Sequence, residues 1–222
     1  MLSRKPRVKD KETREREILA AAKEIFFDKG FKNASMEEIA QMAGVSKGTV
    51  YLYFKNKEDL YLFLMLPVAT EFNKRLRKFE KEFDNGKHRS GREIILGLFN
   101  IHYEVYKYDP DGIRAIHAFH QGDFIRGLPQ ETVDKFNQMA QDNFALTRRL
   151  LSKATELKLI RKANIIQLAD VIFAVFNGVV QLEENKKRIT KRDHTRETME
   201  LAFRLLADAL CPKTTLTRSS RM

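Results

Sequence analysis

Three helix-start signals follow one another closely near the beginning of the chain, and they leave room only for short helices. Ser35 with Glu38 three residues on is a capping box: the serine oxygen accepts from the third backbone N–H, and the glutamate reaches back. It opens a helix over Met36–Met42 that Gly44 breaks. Ser46 caps a third helix running through Tyr53, and Asn56, with Asp59 three residues on, caps a fourth and longer one. Ahead of them, Ile18, Ala22, Ile25 and Phe26 recur at helical spacing, which predicts a first helix from about Lys11 to Lys29. Gly30 ends it in a Schellman-type stop, with Phe31 folding back onto Phe26.

Beyond residue 58 the pattern stays helical, without period-two alternation or a hairpin dipeptide between β-rich segments. Breaks at 83–91, 108–112, 122–130, 159–164 and 186–194 give about nine helices and an all-α fold. Pro67 lies inside the fourth helix, where a kink is expected. The expected division is a head over 1–56, a helical domain over 57–211 and a disordered polar tail over 212–222. The apolar stretch 60–69 is half the length a membrane span needs. The stretch 165–182 carries Gln167, Asp170 and Asn177, each costly in hydrocarbon. Both read as buried helices.

The chain of 222 residues carries 41 Lys and Arg against 30 Asp and Glu, a net charge of +11 that favours a polyanionic partner. A single cysteine, Cys211, forms no internal disulfide. The N-terminus lacks the apolar core of a secretory signal, so a reducing cytoplasm is the expected location.

Three short helices in the first 55 residues, two of them joined by a tight turn, are what a helix-turn-helix requires. Ala40 is the small residue where the two helices approach, and Gly44 occupies the turn. Ile39, Ala43, Val45, Val50 and Tyr53 form the apolar interior, Tyr53 being able to lean either way. Lys47, Gly48, Thr49, Tyr51 and Leu52 point outward. Lysine and tyrosine suit phosphate contacts, threonine and aromatic groups suit base edges, and Gly48 lets the backbone approach DNA. Lys57 is unfavourable to the dipole of its own helix and is expected to face a phosphate.

The segment "ILAAAKEIFFDKGFKNASMEEIAQMAGVSKGTVYLYFKNKEDLY" resembles the N-terminal DNA-binding domain of the tetracycline-repressor (TetR) family, over roughly residues 15–61. That resemblance places Ser35, Ser46, Lys47, Thr49, Tyr51, Tyr53 and Lys57 at DNA-touching positions and leaves Leu52 unassigned. It implies a homodimer built on the two C-terminal helices, about 163–187 and 195–210, reading a pseudo-palindromic double-stranded operator. It also implies a cavity for a small, largely apolar effector whose binding releases DNA. Candidate cavity residues are Tyr103, Tyr106, His117, Phe119 and Phe144. Aromatic walls are equally what a core contains.

His117 and His120 stand three apart on a helix, with His102 a third candidate, but no Cys or carboxylate stands at a ligand spacing. No cofactor is expected. The enzyme reading fails for want of a Walker loop, nucleophile elbow, zincin or Glu-x-x-His pattern. The competing expectation is a helical small-molecule-binding protein with a vestigial head.

Overall fold

The computed structural model describes residues 11–121 and 130–211. Among the described residues there are nine α-helices and no strand: α1 (Lys11–Asn33), α2 (Met36–Met42), α3 (Lys47–Tyr53), α4 (Lys57–Asp84), α5 (Gly91–Tyr108), α6 (Pro110–Gln121), α7 (Gln130–Glu156), α8 (Ile165–Thr190) and α9 (Thr195–Leu210). The chain is all-α, as expected. The basic tail, the break near 122–130 and the polar tail over 212–222 lie outside the described residues.

Capping explains the early boundaries. Ser35 accepts from Glu38 N while the Glu38 carboxylate accepts from Ser35 N, the reciprocal pair that starts α2. Ser46 Oγ accepts from Thr49 N to start α3, and Asn56 Oδ1 accepts from Asp59 N ahead of α4. At Gly30 (φ 76°, ψ 159°) α1 leaves helical geometry as predicted, but it then resumes for a short turn through Asn33. The Phe26 and Phe31 rings close over the break at 5.5 Å between centroids. Pro67 sits within α4, which continues on both sides of it.

The chain divides into two compact units, each discontinuous in sequence: residues 1–67 with 111–137, and 68–110 with 138–222. This departs from the expected split at residues 56 and 57, for a tertiary reason. Leu60, Tyr61, Leu64 and Met65 of α4, Ala115 of α6 and Phe136 of α7 are buried in the same apolar cluster as Ile18, Phe26, Ile39 and Val50. Tyr61 donates its hydroxyl proton to Ala115 O at 3.0 Å, and burial pushes that phenol well above its ordinary pKa. On α6, Asp111 pairs with Lys23 at 2.8 Å, and the Arg114 guanidinium lies 4.7 Å from the centre of the Phe27 ring. The first unit is therefore a head of α1–α3 completed by segments much later in the chain.

In the second unit α5 packs against α9, and α9 against α8. Leu76, Phe79, Ile94, Leu98, Leu150, Ile172, Phe176 and Phe203 are among its buried side chains. His102 lies at the centre of this core, with Phe72, Phe176 and Phe203 around its ring at 4.8–5.7 Å. Its Nδ1–H donates to Leu98 O at 2.8 Å, and burial lowers its pKa to about 4, so it is neutral.

The structure matches the expected ends of α9 and runs α8 three residues further. One stripe of α8 is buried (Leu168, Ala169, Ile172, Phe176, Val180), while Ile166, Val171 and Leu182 face outward. On α9, Leu201 and Leu205 are exposed as well, by 58% and 60%. Nothing lies within 4 Å of where a side chain at Gly178 would begin. By length and composition alone α8 could cross a membrane.

Candidate nucleic-acid interface

The α2–α3 turn is built from backbone hydrogen bonds that only a special conformation allows. Gly44 takes φ +65°, its N–H donates to Gln41 O, and Val45 N–H reaches Ala40 O at 3.0 Å. Ile39, Ala40, Val50 and Phe54 fill the space between the two helices, with Ala43, Val45 and Tyr53 packed at its edge. Burying that side fixes which side of α3 faces water. Lys47, Gly48, Tyr51 and Leu52 are exposed, Leu52 by 83% and Tyr51 by 46%.

The structure thus brings together Ser46, Lys47, Gly48, Thr49 and Tyr51 on or beside one seven-residue helix. Thr49 is half-buried, and its hydroxyl lies 2.8 Å from Ser46 Oγ. Ser35 stands at the start of α2, where Lys29 holds the Glu38 carboxylate below the usual range and the serine hydroxyl and N–H add to that effect. Tyr53 leans inward against the head core rather than outward. Lys57 is occupied differently from expectation. Its ammonium donates to Phe31 O (2.8 Å), Ala34 O (3.0 Å) and Lys32 O (3.2 Å), and it lies 4.7 Å from the Phe31 ring centre. The Phe31 and Lys32 carbonyls lie in the last turn of α1 and the Ala34 carbonyl just past its end, so Lys57 donates to the chain where the helix stops, a use for its charge other than the phosphate contact expected of it.

Sequence reasoning did not single out Glu37. Its carboxylate accepts a close hydrogen bond from Lys47 Nζ, which also lies 5.9 Å from the Tyr51 ring centre. That contact lowers the Glu37 pKa and raises that of Lys47. The ten-residue separation hid the pair. Phe54 was also missed, although it is among the largest fully buried side chains.

Of the five effector-cavity candidates, Tyr103, Tyr106 and Phe144 are described in the second unit. Tyr103 stacks on Phe99 at 5.9 Å, with Lys107 and Arg196 over its ring. Tyr106 donates to Glu184 Oε1 at 2.6 Å, and burial raises its pKa. Phe144 meets Phe173 edge-on at 4.9 Å. His117 belongs to the first unit, and the Phe119 side chain lies outside those described. None of the described candidates lines either of two open cavities in the second unit. One, of about 640 Å³, lies between α4 and α5 beside Arg75, Phe79, His88, Arg92 and Ile101. The other, of about 490 Å³, lies between α4 and α7 beside Thr70, Asn73, Arg77, Met139 and Asp142. The described Tyr103, Tyr106 and Phe144 serve packing between helices instead. Among the described residues no three His, Cys, Asp or Glu side chains cluster as a metal site.

A short capped helix, held by its buried face behind a glycine turn and bare on the other, has the architecture of a helix-turn-helix. Residues 18–63 match the model of bacterial regulatory proteins of the tetR family. Over 82 residues it is 35% identical to the fatty acid metabolism regulator protein of Bacillus subtilis, covering 37% of this chain and 42% of that one. It is 46% identical over 52 residues to the transcriptional activator FasR of Mycolicibacterium smegmatis, covering 23% and 24%. The chain therefore spans well under half the length of these relatives.

Similarity in fold extends further. The fatty acid degradation regulator FadR of Bacillus halodurans superposes with a TM-score of 0.68 at 24% identity, over 90% of this chain and 97% of that one. FadR of Bacillus subtilis, solved in complex with stearoyl-CoA, gives 0.68 at 22%, over 87% and 98%.

Proposed function

We propose that this chain is a ligand-responsive transcriptional regulator that reads a pseudo-palindromic DNA site as a homodimer. The observation that carries the reading is the outward face of α3, where Lys47, Gly48, Tyr51 and Leu52 stand free of the head core. Lysine and the tyrosine hydroxyl suit phosphate, whereas an exposed leucine suits a thymine methyl group in the major groove. Ser35, Ser46 and Thr49 flank them, and Tyr53 and Lys57 support the head. The outward rows of α8 and α9 support a two-fold bundle, because leucines at such exposure are stabilised by a matching apolar surface. Two α3 helices set by one bundle would meet half-sites about one DNA turn apart, roughly 34 Å.

The effector we infer is a largely apolar small molecule, and a long-chain acyl-CoA is the first compound to test, given what the Bacillus subtilis FadR structure contains. Repression relieved by the effector is the proposed output. The reading involves no catalytic step.

Selection of bound duplexes from a randomised pool at near-physiological salt tests this reading. Enrichment of a pseudo-palindrome is the expected result. Stearoyl-CoA added to that complex should then lower its affinity by tenfold or more, about 1.4 kcal/mol. A folded protein that enriches no sequence would favour a small-molecule-binding protein with an inactive head.

A further inference from the structure

Glu37 is the one feature of the α3 face that works against an anionic partner. Of the two carboxylates in the first turn of α2, Glu38 completes the cap and pairs with Lys29. Glu37 has no part in the cap and reaches across to α3, where it binds Lys47, with the two side chains 58% and 52% exposed. An ion pair so open to water contributes little to stability, so the fold itself gives no reason for it. It does place a negative charge against the ammonium nearest the exposed Tyr51 ring.

We propose that Glu37 is a specificity-determining residue that acts as the resident counterion of Lys47 and suppresses binding to DNA of the wrong sequence. The inference rests on the DNA-reading role argued above. Lys47 can meet a phosphate only by exchanging it for Glu37, which returns little net electrostatic gain while the head is held by backbone contacts alone. At a matching site the base contacts of α3 hold the helix in the groove with Lys47 still paired to Glu37, so the exchange is not needed there. Glu37 therefore penalises non-specific complexes more than specific ones, and widens the ratio between them.

The test uses the full-length protein, the duplex it selects and a scrambled duplex, titrated across a salt series. Glu37→Gln and Glu37→Ala should each tighten binding to the scrambled duplex by about 3- to 10-fold at low salt, and steepen its log K against log salt slope by up to about 0.9, one further phosphate contact. On the selected duplex the gain should stay below about twofold. In a Lys47→Met background Glu37→Gln should leave the slope unchanged. Equal gains on both duplexes would overturn the proposal, as would no gain at all or a steepened slope without Lys47. If the wild-type protein selects no sequence, the DNA-reading role falls and this proposal with it. If it selects a site and Glu37→Gln is silent, the proposal alone falls.

Discussion

Lys57 has three backbone carbonyls within hydrogen-bond distance of one ammonium, two in the last turn of α1 and one, that of Ala34, just past its end. Replacing it with methionine keeps the stem that covers Phe31 but leaves those carbonyls without their donor. Lys57→Met should cost about 1–3 kcal/mol of stability, read as a lowered midpoint in urea. It should leave the salt slope of DNA binding unchanged, whereas loss of a phosphate contact would flatten the slope by about 0.9. The contrast with Ser35 and Ser46 explains what was legible at this scale. Their partners lie three residues on, so the pattern S-x-x-E and the serine before α3 state the bond outright. Lys57 finds its carbonyls 23–26 residues back, and Glu37 its lysine ten residues on, separations that follow from the crossing of helices rather than from any periodicity. Tyr53 was ambiguous for a related reason: on a helix of two turns, one residue of rotation decides between core and surface.

Helix α5 is pressed against its neighbours at two glycines. A side chain at Gly97 would enter the Phe79 ring of α4, and one at Gly91 would meet the Leu159 carbonyl and the Ile160 side chain. Gly97→Ala should therefore destabilise the second unit by about 1–3 kcal/mol despite alanine's better helix propensity, as measured by chemical denaturation. Gly91→Ala should do the same by forcing backbone apart. The early helix starts were legible, because the caps at Ser35, Ser46 and Asn56 act locally. The discontinuous units were not. Burial of Tyr61, Ala115 and Phe136 in one cluster needs contacts across more than fifty residues, which one-dimensional patterning does not carry. The cavity candidates turn on the same point: an aromatic row on a helix looks identical in sequence whether it faces a ligand or Phe173.

The outward leucines of α8 and α9 set the prediction for the whole molecule. Leu201→Lys with Leu205→Lys should convert the proposed dimer to monomer in sedimentation equilibrium, with little loss of helix signal, since both positions are exposed in the single chain. Affinity for the selected duplex should fall by at least tenfold, because each monomer then reads a half-site alone. A protein that stays dimeric would place the interface elsewhere. The interleaving of the chain also bears on its synthesis. A ribosome that has released only the first 67 residues has made α1–α3 and the start of α4, but not Ala115, nor the carbonyl that Tyr61 holds, nor Phe136. The head is complete only after residue 137 has emerged, and the whole of α5 is synthesised before its later segment. A nascent head is thus an incomplete one, so newly made chains acquire a finished head only once residues 68–110 of the second unit have also left the exit tunnel.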